Sequence, residues 1–218
     1  VIVLKRGSYF GMLSPFDLMQ LANTIRTVEA QRRNPLSGLP GNDQINELIN
    51  AYADRRDARR VFAYIDISNF KPFNDKFGFE VGDRAILLLT DQLKRVQDIS
   101  GEMLGHIGGD DFFAAANGEG VERFPDLLRR VPGKFSTNIA TLLPQDFKNA
   151  AEYTGITRDG QKTQFSMIGC TVVCLTYSEA SDIPAATGMV KKLSALKSKA
   201  RKIQQEFLGE AGAQNPHA

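Results

Sequence analysis

Met103-Leu104-Gly105-His106-Ile107-Gly108-Gly109-Asp110-Asp111-Phe112-Phe113-Ala114-Ala115-Ala116 consists of two apolar runs joined by a polar tip. Glycine and aspartate are turn residues, so the tip is predicted to close a hairpin between strands at 103–107 and 112–116. Paired glycines let a backbone turn tightly and come close to a phosphate. Two adjacent acids at a hairpin tip repel each other and add little stability. A divalent cation between the strands would relieve that repulsion. A plain Gly-Asp turn accounts for the same residues without any ligand.

Two upstream segments share this mixed character. Tyr64-Ile65-Asp66-Ile67-Ser68-Asn69-Phe70-Lys71 closes an apolar run, Val61 to Ile65, that reads as a strand. Asp66 at the strand end suits a metal ligand, and the turn amides after it suit phosphate. Asp66 or Ser68 capping the next helix is the simpler alternative. The second segment runs Asn74-Asp75-Lys76-Phe77-Gly78-Phe79-Glu80-Val81-Gly82-Asp83. Guanine presents a ring N–H beside an exocyclic amine, which one carboxylate can accept together. An asparagine amide reads the adjacent acceptor and donor edge. Asp83 as a mere helix N-cap is again the alternative.

Outward from these segments, punctuation sets the organisation. Asn34-Pro35-Leu36-Ser37-Gly38-Leu39-Pro40-Gly41-Asn42 breaks a helical pattern and marks the main boundary. Before it, Val1–Leu4 and Tyr9–Leu13 read as a hairpin. A helix over 15–33 follows, opened by Ser14, Pro15 and Asp17, with Leu18, Leu21, Ala22 and Ile25 on one face. After the boundary, helices are predicted over about 43–56, 83–98, 121–131, 135–150 (broken at Pro144) and 187–208. Residues 74–82 read as a loop or short helix. Strands are predicted at 60–67, 153–157 and 163–175, with Arg158-Asp159-Gly160 turning between the last two. Residues 209–218 read as a disordered tail.

Composition narrows the class. The 218 residues are 42% hydrophobic and 24% charged, which fits a globular protein with a core of its own. A net charge of +2 gives no case for a nucleic acid partner. No apolar run reaches the ~20 residues needed to span a bilayer. Cys170 and Cys174 lie on one side of a predicted strand and read as buried thiols in a reducing, cytoplasmic setting.

Taken in order, the three segments resemble the GGDEF family. That family has a strand ending Ile-Asp-Ile-Ser-Asn-Phe-Lys, then Asn-Asp, then Gly-Asp, then a Gly-Gly-[Asp/Glu]-Glu-Phe hairpin. Asn34 to Gly41 is similar to its Asp-x-Leu-Thr-Gly-Leu-Pro opening, and Phe165-Ser166-Met167-Ile168-Gly169-Cys170 to its Ser-Ile-Gly-Val strand. The resemblance spans 34–208. It implies an α/β (α+β) fold with a central, mostly antiparallel sheet flanked by helices, like the palm of nucleotidyl cyclases and polymerases. It also implies a diguanylate cyclase, in which two subunits each hold one GTP and condense them into cyclic di-GMP. By position, Asp66, Asp110 and the Ile67 carbonyl would hold Mg²⁺ (or Mn²⁺). Asn74 and Asp83 would read guanine. Asn69, Phe70 and Lys71 would meet the outer phosphates. Asp110 and Asp111 would stand at the reacting centre.

The departures from the family pattern keep a second expectation open, a catalytically degenerate GTP-binding or dimerisation module. Asp111 is one methylene shorter than the usual glutamate. His106 replaces arginine, and Phe79 stands where histidine is common. The last helix usually carries Ala-Lys-x-x-Gly-Arg; Lys197-Ser198-Lys199-Ala200-Arg201 leaves that register ambiguous. The upstream Arg-x-x-Asp product-inhibition motif is replaced by Ile99 and Glu102. Finally, Gly11-Met12-Leu13-Ser14-Pro15-Phe16-Asp17-Leu18 resembles the end of a CBS domain. By that resemblance, 1–33 would be the end of a regulatory domain plus linker helix, within a longer multidomain chain.

Overall fold

The computed structural model describes residues 1–53, 59–100, 103–156, 159–178, 183–203 and 205–211. Arg56, Glu102, Arg158 and the tail from 212 to 218 lie outside the described residues. The chain opens with the hairpin β1 (Ile2–Lys5) and β2 (Ser8–Met12), turned by Arg6 and Gly7 at positive φ. Helix α1 (Pro15–Gln31) starts where the sequence signals it: Asp17 N–H donates to the Ser14 hydroxyl, and Ser14 N–H donates back to the Asp17 carboxylate. This reciprocal cap satisfies two donors that a helix start would otherwise leave open. No α1 residue is buried.

The central sheet is built on β3 (Arg60–Ser68), whose apolar run is buried on both faces. It pairs antiparallel with β5 (Asp111–Asn117) and β8 (Gly169–Tyr177). Strand β4 (Met103–Gly108) pairs with β5 as the expected hairpin, and β9 (Phe207–Ala211) runs parallel to β8. The order is β4-β5-β3-β8-β9, a mostly antiparallel sheet in a mixed α+β fold. Strand alternation sends Val61, Ala63, Ile65 and Ile67 to one face, and Phe62, Tyr64 and Asp66 to the other. The first face packs under α3 (Phe70–Phe77), α4 (Phe79–Ser100), α5 (Phe124–Arg129) and α6 (Val131–Ile139). The second packs under α2 (Asn42–Ala53) and α7 (Ala186–Lys202), through Ile45, Ile49, Leu193 and Leu196. Burying each such side chain contributes about 1.5–3 kcal/mol.

Several expectations are corrected. Helix α4 begins at Phe79, directly after Gly78 ends α3 with φ +89°, so Asp83 lies inside the helix and is not its N-cap. The helix expected over 121–131 is the shorter α5, after a 3-10 turn that ends at Glu122, and α6, with Pro132 in its first turn, begins at Val131, ahead of the helix expected from 135. Beyond Ile139 only short 3-10 turns continue, at Ala140–Leu142 and Gln145–Phe147. The strand over 163–175 divides: β7 (Lys162–Ser166) pairs with β6 (Glu152–Ile156) in a separate hairpin, and β8 crosses into the central sheet. Helix α7 stops at Lys202, and residues 209–211, read as tail, belong to β9. Strand β9 holds because Phe207 and Leu208 alternate onto the two core faces and Val172 N–H donates to the Glu206 carbonyl.

Candidate active site

The register of β3 on β5 sets Asp66 directly across from Asp111. Both point to the α7 face, where two turns of α7 carry Lys197 and Arg201. Residues four apart share one helical face, so both cations meet the strand end together. Lys197 Nζ donates to Asp66 Oδ1 at 3.2 Å and to Asp111 Oδ1 at 3.1 Å. Arg201 donates to Asp66 Oδ2. Asp66 is 2% exposed. Burial pushes its carboxyl above the usual range, and Lys197 and Arg201 pull it partly back. Asp110, at the tip, is also held high, by burial and then by the nearby Asp66 and Asp111 carboxylates. Its carbonyl accepts from Ile67 N–H at 3.1 Å, which draws the tip against the end of β3.

Lys197 and Arg201 thus share the face of α7 that meets Asp66, and Ala200 between them is buried on the core face of α7. Tyr64 was not anticipated. It lies two residues before Asp66 on the same face, beneath the Lys197 ammonium at 4.6 Å from its ring centre. Burial, and a hydrogen bond to the Asp111 carboxylate, keep its phenol protonated. An apolar strand gives no sequence signal for such a role. Thr171 of β8, across from Asp66, shares a 2.8 Å hydrogen bond with Ser68.

The expected phosphate segment follows at once. Asn69 adopts a left-handed backbone, φ 60°, and its side chain turns away to donate to the Ser166 carbonyl at 3.2 Å. The first turn of α3 therefore has no side-chain cap. The amides of Phe70 and Lys71 open the helix, and an uncapped helix start favours an anion. Asn74 sits one turn later, and its amide packs against Gly82, the neighbour of Asp83. Only glycine permits this approach, because a Cβ at position 82 would lie 1.8 Å from Asn74 Oδ1. That oxygen is buried and has no hydrogen-bond partner. Asp83 and Lys71 are exposed. The fold thus gathers the expected residues into two adjoining groups: Asp66, Ile67, Asp110 and Asp111 at the strand ends, and Asn69 to Asn74 with Asp83 along α3 and α4.

Among the described residues, no three or more His, Cys, Asp or Glu side chains form a metal cage. The donor set does fit Mg²⁺. That ion is usually held by one or two carboxylates together with substrate phosphates. Asp66 and Asp110 are both destabilised as anions, which a dication would relieve. Cys170 and Cys174 take no part; burial raises both thiols, Cys174 to about 12.

Residues 34–141 match the family described as "Diguanylate cyclase, GGDEF domain". Over 84 residues, 37% of this chain, the sequence is 33% identical to diguanylate cyclase DgcP of Escherichia coli K12, and covers 24% of that protein. Over 86 residues it is 37% identical to the probable diguanylate cyclase DgcC of the same organism, covering 22% of its length. Among solved structures, the coiled coil and GGDEF domain of DgcB from Caulobacter crescentus, in complex with c-di-GMP, superposes with a TM-score of 0.67. The two are 14% identical, and the match covers 90% of this chain and 94% of that one. The FimX GGDEF domain from Pseudomonas aeruginosa gives 0.59 at 14% identity, covering 82% and 99%.

Proposed function

The chain carries a domain of the GGDEF family, and from that premise we propose that it is a diguanylate cyclase. Two GTP molecules, one on each of two copies, condense into cyclic di-GMP. The 3′-oxygen of each attacks the α-phosphorus of the other; a phosphodiester forms, pyrophosphate leaves, and the hydroxyl proton is lost. The observation that carries this reading is the convergence of Asp66, Asp110 and Asp111 with Lys197 and Arg201 beside the uncapped start of α3.

Asn74 and Asp83 hold the guanine edge; the unpartnered Asn74 oxygen offers an acceptor for a base N–H. The amides of Phe70 and Lys71, the Lys71 ammonium and the freed ends of Lys197 and Arg201 hold the phosphates. Asp66, Asp110 and the Ile67 carbonyl would hold Mg²⁺ or Mn²⁺, which would supply Lewis-acid stabilisation of the phosphate charge. Asp111, shorter than glutamate, is held by Lys197 in the free site, and Tyr64 would keep it in place once Lys197 turns to the phosphates.

Dimerisation is part of the proposal, because one site holds only half of the reaction. Leu18, Leu21, Ile25 and Val28 on α1 follow the 3-4-3 spacing of a coiled-coil seam, and all four are exposed. A second copy of α1 would cover that seam and bring two sites face to face. No helix of the described residues is long and apolar enough to cross a membrane. On this reading the domain works in the cytoplasm, where GTP is available, and 1–33, which resembles the end of a CBS domain, links it to regulatory domains in a longer chain.

A second reading, a GTP-binding regulatory module without turnover, is favoured by one observation: Asp111 is short and held by Lys197. Calorimetry with GTP, with and without Mg²⁺, combined with product analysis, separates the two. The cyclase reading expects Mg²⁺-dependent binding and product, both lost in Asp110→Ala. Binding without product would select the module. The replaced Ile99 and Glu102 motif leads us to expect no tight cyclic di-GMP site of the product-inhibition type; a tight calorimetric titration would overturn that.

A further inference from the structure

The turn that carries Asp110 and Asp111 is held from behind by His106. The imidazole is 2% exposed and stacks on the Phe112 ring, with centroids 4.3 Å apart. Its Nε2 lies 3.0 Å from the Gly109 carbonyl, and its Nδ1 lies 2.9 Å from the Ser37 hydroxyl. A carbonyl only accepts, so Nε2 carries the proton. Nδ1 of the neutral ring then accepts, and the Ser37 hydroxyl donates to it. Ser37 Oγ in turn accepts from Leu39 N–H at 3.3 Å. The Ser37 hydroxyl also lies 3.4 Å from Asn34 Oδ1, a longer contact than the 2.9 Å to Nδ1, which is the one the hydroxyl proton serves when Nδ1 is bare. Burial disfavours the charged ring, in agreement with the neutral tautomer.

The other end of the relay is the loop 34–41, which is itself fixed. His106 N–H donates to the Pro40 carbonyl at 2.8 Å, and Gly41 N–H to the Arg32 carbonyl at 2.9 Å. Gly105 allows this approach, because a Cβ there would meet Ile45 at 2.6 Å and the Pro40 carbonyl at 3.2 Å. Arg33 Nη1 donates to the Gly38 carbonyl at 2.9 Å. The loop that receives α1 and the tip that carries the acids are therefore joined through one side chain.

Resting on the cyclase reading, we infer that His106 is a positioning residue: in its Nε2–H form it fixes Gly109, and with it Asp110 and Asp111, against the loop that follows α1. Its ring faces Ser37, the Gly109 carbonyl and Phe112, not the side chains assigned to nucleotide or metal. Its loss should therefore change turnover more than GTP affinity. A misplacement of ~1 Å at a reacting centre lowers the rate by about 100-fold.

The test compares His106→Phe, His106→Gln and Ser37→Ala. Phenylalanine keeps the stack on Phe112 and removes both hydrogen bonds. Glutamine retains an N–H donor at a reach similar to Nε2. Expected for His106→Phe is a kcat lower by about 10–100-fold, with the KM for GTP within about threefold. His106→Gln should recover most of the loss, and Ser37→Ala should fall between. Two readouts do not depend on turnover. Nitrogen-15 NMR of histidine-labelled protein, with His217→Ala to assign the second ring, should show Nε2 protonated and Nδ1 bare. Hydrogen exchange at 108–111 should quicken by at least tenfold in His106→Phe and recover in His106→Gln. An imidazolium or an Nδ1–H tautomer at neutral pH, or unchanged tip exchange in His106→Phe, would overturn the inference. If the unmodified protein makes no cyclic di-GMP, the cyclase reading falls, and the tautomer and the tip exchange still decide this one.

Discussion

Gly82→Ala separates binding from folding with a single methyl group. The added Cβ would lie 1.8 Å from Asn74 Oδ1, 2.8 Å from its Cγ and 3.3 Å from its Nδ2. The amide must retreat by about 1.5 Å to reach ordinary contact. It is the end of a short side chain in the last turn of α3, so it can swing out with little strain on the backbone. Position 82 lies within α4, where alanine is favoured over glycine by about 1 kcal/mol. The melting temperature should therefore hold or rise by a few degrees. Binding should suffer instead. Losing the contacts of one buried amide costs about 1–3 kcal/mol, or about 10–100-fold in affinity. The assay is calorimetry of Mg²⁺ with GTP and with ATP, alongside thermal unfolding. GTP affinity should fall, and the preference for GTP over ATP should shrink. Unchanged GTP affinity would show that Asn74 does not read the base. A lost fold would show that the glycine serves packing alone.

Lys197→Met leaves Asp66 and Asp111 facing each other without their shared cation. We expect a loss of about 2 kcal/mol, below that of a fully buried pair, and a melting temperature lower by about 4–8 °C; Mg²⁺ should restore part of it. Unfolding with and without the ion checks this, and an unchanged metal-free melting point would refute it. Asp110 carries a raised carboxyl pKa, so the folded state binds its proton more tightly than the unfolded chain does. In chelator, that contribution to stability should be complete below about pH 4 and be lost as pH rises through the raised value. Asp110→Asn should flatten this slope above about pH 4, and parallel curves for the two proteins would contradict it. Leu21→Glu with Ile25→Glu places charges in the α1 seam. Sedimentation should show monomers that still bind GTP but turn over far more slowly, and an intact dimer would remove the seam from the account.

The parts of the fold that the sequence spells out are those coded locally. The Gly108 to Asp111 tip closes β4 onto β5, the apolar run from Val61 becomes β3, and Ser14 with Asp17 caps α1. Asp66 and the Gly-Asp tip are placed at strand ends by the apolar runs beside them, while capping and turn formation would account for the same acids from sequence alone. Other features depend on tertiary context. Asp83 resembled a cap because nothing local announces that α4 begins at Phe79, immediately after Gly78. The face of α7 that meets the site was hidden because packing alone turns Lys197 and Arg201 toward Asp66. Tyr64 reads as one more strand residue, and only the pairing of β3 with β5 brings the Asp111 carboxylate to its hydroxyl. His106 gains its role from Ser37, and no periodicity links positions so far apart in the chain. The strand at 207–211 was missed because it exists only as a parallel partner of β8.

The most direct measurement is incubation of the purified protein, at a concentration that favours dimers, with Mg²⁺ and GTP, followed by chromatographic quantification of cyclic di-GMP and pyrophosphate. The account expects two pyrophosphates for each cyclic di-GMP, with both absent in Asp110→Ala. GTP that binds in a Mg²⁺-dependent manner but stays unconverted in the dimer would contradict it.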